Sequence, residues 1–180
     1  MSRRAAPPAA APATLTTPAA AAPSAALALD LYQQPGHLIR RAQQIAVSMF
    51  AEALGRDVTP VQYAVLRMLQ DRPGIDQVTL AAEVALDTST TADLAARLEA
   101  KGWIVREVMP RRQRRLTLTA EGEAVLARLV PGLRAMNEAM LGRLDENERA
   151  EFMRLLAKFV ALNNAQSRAP LGGKADTAAG

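Results

Sequence analysis

The chain of 180 residues contains no cysteine. That absence excludes disulfide frameworks, thiolate nucleophiles, cysteine redox sensing and cysteine metal sites. Histidine is nearly as scarce. With His37 alone, a histidine-rich zinc site is hard to build and a Ser-His-Asp triad has a single candidate base. No nucleophile elbow accompanies it. Paired carboxylates and a phosphate-binding glycine loop are also missing at useful spacing, so an enzyme is disfavoured and no metal or cofactor is expected. No stretch is long and apolar enough to cross a bilayer. Ser2-Arg3-Arg4 followed by alanines resembles an export signal only superficially. Prolines at 7, 8, 12, 18 and 23 break any apolar helix there, and the leucine-rich middle of a signal is lacking. The expectation is a cytoplasmic protein with no membrane partner.

What is present is a modest basic excess, formally +4, which fits an anionic partner such as nucleic acid. Residues 1 to about 28 are nearly all Ala, Pro, Thr and Ser. They offer little large apolar surface to offset ordering entropy, and a disordered tail is predicted, with a second from 168 to 180. One domain, about 29–167, lies between them. Its first helix is predicted over Pro35 to Leu54, with two adjacent apolar stripes, Leu38-Ala42-Ile45-Met49 and Ile39-Ala46-Phe50-Ala53. So wide a stripe exceeds what one core face needs and points to burial by a second subunit. Thr59-Pro60-Val61-Gln62 is a capping box that opens a second helix, stopped at Pro73-Gly74.

A short helix from about Thr79 to Ala85, a turn at Leu86-Asp87 and a longer helix from Thr88 to Lys101 follow, the last ended by Gly102. Two extended segments, Trp103–Val108 and Arg114–Leu118, flank the tip Met109-Pro110-Arg111-Arg112-Gln113. A long helix from Thr119 to about Leu144 is expected to be interrupted and kinked at Pro131-Gly132. Asp145 and Glu148 cap a last helix. The fold class is mainly α with a small β-hairpin wing, a winged helix-turn-helix.

In a helix-turn-helix the second helix enters the major groove. Here Thr91, Leu94, Ala95 and Leu98 share its inward face, while Thr88, Ser89, Thr90, Asp93, Ala96 and Arg97 face out. Short hydroxyl side chains let a helix sit deep against DNA, and its first amides face a phosphate. Caps of this composition also occur on helices that bind nothing. The hairpin carries Arg106, Arg111, Arg112, Arg114 and Arg115 against one acid, Glu107. Such a tip reaches phosphates or the minor groove, the bland alternative being a basic surface loop.

Leu80-Ala81-Ala82, Asp87-Thr88-Ser89-Thr90, Leu94-x3-Leu98-Glu99-x-Lys101-Gly102-Trp103, and Arg111-Arg112 ahead of Leu118-Thr119 follow one another in this chain. In order and spacing they resemble the MarR (multiple antibiotic resistance regulator) family, from about Gly36 to Phe159. The resemblance implies a homodimer on palindromic double-stranded DNA. Its dimerisation helices would span about 35–54 and 120–166, around a DNA-binding lobe of about 59–119. It also implies a DNA-contacting arginine in each wing, here Arg111 or Arg112, with Ser89, Thr90 and Arg97 on the recognition helix. Family wings usually carry Asp before the paired basic residues, and this chain has Pro110.

Many such regulators release DNA when a small aromatic acid enters a cleft beside the dimerisation helices. His37, Arg40 and Arg41 are the candidate carboxylate partners, with Tyr63 and Met68 as walls. Cations in a first helical turn oppose the macrodipole, and a bound carboxylate gives them a reason. Ordinary solvated arginines, or arginines paired with acids of a partner subunit, are the alternative. Pro35-Gly36-His37-Leu38-Ile39-Arg40-Arg41 resembles first helices of the nicotinate-catabolism subgroup, with a hydroxynicotinate-type inducer.

Overall fold

The computed structural model describes residues 30–110 and 114–171. Their order is α1 (Pro35–Leu54), α2 (Pro60–Asp71), β1 (Ile75–Asp76), α3 (Gln77–Glu83), α4 (Thr88–Ala100), β2 (Ile104–Val108), β3 (Arg114–Leu118), α5 (Ala120–Leu141) and α6 (Glu146–Leu162). The expected N-terminal tail, the wing-tip residues Arg111, Arg112 and Gln113, and residues from 172 onward lie outside the described residues. The chain divides into two compact units, at Arg40 and Arg41.

In the first unit, Asp30 caps the 3-10 turn Leu31–Gln33 by accepting the Tyr32 N–H at 3.0 Å. Pro35 then opens α1 at a position whose N–H has no helical partner. His37 is half-buried and stands edge-on to Tyr32, with ring centroids 5.5 Å apart.

The second unit is built around the helix-turn-helix. Thr59 and Gln62 form the reciprocal capping box that starts α2. Asp76 accepts N–H bonds from Val78 and Thr79 and so starts α3 at Gln77, two residues before the expected Thr79. Asp87 starts α4. Leu66, Leu69, Leu80, Leu98, Ile104 and Leu116 are fully enclosed and join α2, α3, α4 and the sheet into one core. The sheet has strand order β1-β3-β2, all antiparallel, with Ile75 opposite Leu116 and Ile104 opposite Leu118. Ala85 enters the left-handed region at φ 53° in the turn between α3 and α4, a conformation alanine adopts at a cost.

Thr119 ties the base of the wing to α5. Its hydroxyl donates to the Gly102 carbonyl at 2.7 Å and accepts from the Gly122 N–H at 3.1 Å. Gly122 is buried so closely under the wing that a β-carbon there would stand 2.1 Å from the Trp103 carbonyl oxygen. Gly122→Ala is therefore expected to cost at least about 1–3 kcal/mol of stability, because backbone and not a rotatable side chain must yield. An unchanged urea-unfolding midpoint refutes this.

Two expectations need correction. α5 runs unbroken through Pro131 and is not interrupted there. Proline removes the N–H that would donate to the Ala127 carbonyl, but Ala127 and Pro131 are both exposed, so that carbonyl is open to hydration in place of the lost bond. Residues 168–171, assigned to a disordered tail, fold back instead: the Asn164 side chain donates to the Leu171 carbonyl at 3.1 Å and accepts its N–H at 2.9 Å.

Neither α6 face is covered. Phe152, Leu155, Leu156, Phe159 and Val160 are each 42–48% or 49% exposed, and the helix buries no residue. Ile45 and Val47 of α1 are likewise open. Apolar surface this contiguous marks an interaction site.

Candidate nucleic-acid interface and cavity

α4 separates its residues as the periodicity predicts. Thr91, Leu94, Ala95 and Leu98 are buried, while Thr88, Ser89, Thr90, Asp93, Ala96 and Arg97 are exposed. Asp87 organises the start of the helix. One carboxylate oxygen accepts from the Ser89 hydroxyl at 2.6 Å and the Thr90 N–H at 2.7 Å; the other accepts from the Thr90 hydroxyl at 2.7 Å. The Ser89 hydroxyl, then the Thr90 N–H and hydroxyl, hold the Asp87 carboxyl far below the usual carboxylate range. Thr91 turns inward and donates to the Asp87 carbonyl at 2.9 Å. Arg97 is exposed and donates through Nε to the Asp93 carbonyl at 3.3 Å.

The five wing arginines are not equivalent. Arg106 is mostly buried, and its Nε donates at 2.7 Å to Glu99 on α4, with a second bond from Nη2 to the same oxygen. Those bonds draw the Glu99 carboxyl below its ordinary range. Arg106 thus fastens the wing to α4, and its guanidinium is engaged there. Arg115 lies in register between Asp76 on β1 and Glu107 on β2, so Glu107 is not the only acid near it. Arg114, opposite Val108, is exposed. Lys101, at the other end of α4, lies over the Trp103 ring at 4.2 Å and donates to the Asp57 carbonyl.

The second unit also contains a cavity of about 450 Å³ where α1, α2 and α5 meet. Phe50, Leu133, Met136 and Met140 supply apolar wall; Gln43, Tyr63 and Asn137 supply polar edges. This volume suits a small planar molecule. Tyr63 was expected in such a wall. Met68 is half-buried against the core instead. Arg41 is exposed on α1 of this unit, and His37 and Arg40 lie in the first unit. Sequence reasoning missed Gln43, Met136, Asn137 and Met140. The Met136-x3-Met140 spacing with Asn137 beside it, one helical turn past Pro131, is the signal that was available.

A family model described as MarR family matches residues 58–115. Transcriptional regulator HosA of Escherichia coli O111:H- is 42% identical over 106 residues, 58% of this chain and 78% of that protein. HTH-type transcriptional repressor NicR of Pseudomonas putida is 31% identical over 148 residues, 81% of this chain and 93% of that one. Among solved structures, Bordetella bronchiseptica BpsR, whose DNA binding is regulated by 6-hydroxynicotinic acid, is similar with a TM-score of 0.68 and 30% identity, over 73% of this chain and 96% of its own.

Proposed function

The chain belongs to the MarR family, and we propose that it is a dimeric repressor that leaves its palindromic operator when a small aromatic acid binds. Its relatives are regulators and repressors, and it is a DNA-binding transcriptional regulator rather than an enzyme. Thr88, Ser89, Thr90, Asp93 and Arg97 face the major groove, and Arg111, Arg112 and Arg114 of the wing meet the backbone beside it. No helix among the described residues is long and apolar enough to cross a membrane.

The cavity carries the ligand part of this reading. It is walled by α1 and α5 on one side and by α2 of the DNA-reading lobe on the other, so a molecule filling it changes how those helices pack. BpsR supports a hydroxynicotinate-type compound as that molecule. The ring lies against Phe50, Met136 and Met140, and the Tyr63 hydroxyl or Asn137 amide meets a ring substituent; the partner of the carboxylate is to be sought by mutation among His37, Arg40 and Arg41. Apolar contact supplies most of the affinity, and the charge-assisted bond orients the acid. Release requires tighter binding to a dimer whose recognition helices no longer match the operator, because equal affinity for both states shifts nothing.

The test titrates preformed protein–operator complex with 6-hydroxynicotinic acid and a panel of aromatic acids. His37→Ala and Arg40→Ala are expected to keep operator affinity and to raise the acid concentration for half-release roughly tenfold or more. Response of both variants at the wild-type concentration removes His37 and Arg40 from the site. Absence of release by every acid, with DNA binding intact, makes the chain a ligand-independent regulator.

A further inference from the structure

We propose that Asp87 fixes the polarity of base reading at the start of α4, so that Ser89 and Thr90 select amino bases over keto bases on the strand they contact. This inference rests on the DNA-binding reading, and the site is the recognition helix of that reading rather than the helix terminus as such.

A hydroxyl has one proton to donate and two lone pairs to accept with, whereas a carboxylate can only accept. The Ser89 proton is spent on one Asp87 oxygen at 2.6 Å and the Thr90 proton on the other at 2.7 Å. Both side chains are exposed on the outward face of α4. What they present outward is therefore lone pairs and no proton. The Asp87 carboxyl, held ionised by these same bonds, keeps that arrangement through the physiological pH range.

In the major groove the donors are the adenine N6 and cytosine N4 amino groups; guanine O6 and N7 and thymine O4 accept. A lone pair facing an amino group makes a hydrogen bond. Facing a keto oxygen it makes none and repels. At the position each hydroxyl meets, adenine is thus favoured over guanine, or cytosine over thymine. An unrestrained serine or threonine accepts either, because its proton rotates to suit. Asp87 acts through its neighbours and is a positioning residue for specificity.

The experiment selects duplexes from a random pool with wild-type dimer, then repeats the selection with Ser89→Ala, Thr90→Val and Asp87→Asn. Asparagine also caps helices well; with its Oδ1 accepting the Thr90 N–H and the Ser89 hydroxyl, its amide nitrogen takes the place of the oxygen that faces the Thr90 hydroxyl, donates to it and frees the Thr90 proton. Circular dichroism melting checks that each variant folds. The wild type is expected to enrich an amino base at one position lost in Ser89→Ala and at another lost in Thr90→Val. Replacing that adenine by purine, which lacks N6, should weaken wild-type binding roughly tenfold and leave the matching alanine or valine variant unaffected. Asp87→Asn is expected to bind with the amino preference relaxed toward equal use of keto bases at the Thr90 position and kept at the Ser89 position. Keto bases at those positions in the wild-type selection, or variants that lose affinity on all sequences alike, overturn the proposal while leaving DNA binding standing. A preference unchanged at the Thr90 position in Asp87→Asn overturns the carboxylate's part. Failure of the wild type to enrich any sequence overturns the DNA-binding reading itself, and this proposal with it.

Discussion

A variant carrying Leu155→Asp and Phe159→Asp is expected to run as a monomer in light scattering and to bind palindromic duplex roughly a hundredfold more weakly than the wild type. Leu155 and Phe159 are 49% and 47% exposed, and α6 buries nothing within its own chain. Replacing them removes no intrachain packing, so the helical circular-dichroism signal should persist. In a twofold dimer each substitution acts twice. Burying a Leu or Phe side chain contributes about 1.5–3 kcal/mol, and a carboxylate at the same place must be desolvated as well. The DNA effect follows from geometry. Two recognition helices held roughly one helical turn apart, about 34 Å, engage two half-sites in one event. A monomer has only one half-site and loses the high effective concentration for the second. A variant that stays dimeric places the interface elsewhere, and a monomer with undiminished affinity removes the palindrome.

Much of this architecture is legible in the residues because local signals and tertiary packing agree. The Thr59-Gln62 box, Asp87 and the Asp145-Glu148 box fix helix starts by hydrogen bonds made within a single turn, Pro35 by its fixed φ at the first helical position, and such signals depend on sequence alone. The inward and outward faces of α4 are likewise separated by its 3.6-residue period. What was not legible depends on partners distant in the chain. β1 is two residues long and has no period to detect; it exists because Ile75 and Asp76 pair with Leu116 and Arg115. Arg106 looks in sequence like its wing neighbours. Only folding brings it to Glu99, seven residues earlier on another element. The cavity's α5 wall is hidden for the same reason, since Met136 and Asn137 meet Phe50 and Tyr63 only after three helices have packed. Pro131 misled in the opposite direction: a strong local breaker was overridden because its orphaned carbonyl faces solvent.

The different fates of the wing arginines give the second large effect. Arg106 is held by Glu99, and Arg115 lies between two acids in register. On the proposed DNA-binding reading, the wing cations that meet a phosphate are Arg114 and the tip pair Arg111 and Arg112. Each phosphate neutralised by a protein cation releases condensed counterions, which sets a slope of about −0.9 in log K against log salt per contact. A dimer has two wings, so loss of one contact per wing is expected to flatten the slope by about 1.8, and loss of both tip contacts by about 3.6. Arg111→Ala/Arg112→Ala should therefore weaken binding to all duplexes alike, most of all at low salt, with the deficit shrinking as salt screens the wild type too. Arg97→Ala should behave differently, losing more on the preferred operator than on random DNA, because a base contact carries sequence information and a phosphate contact does not. Arg106→Ala separates the two roles within the wing. It leaves the Glu99 carboxylate without its guanidinium and loosens the hairpin from α4, so its first effect is on unfolding midpoint, with little change of salt slope. Binding measured on operator and random duplex across a salt series distinguishes all three. If the tip double variant keeps the wild-type slope, the wing tip does not touch the backbone, and the phosphate contacts must be sought on α4 and on Arg114.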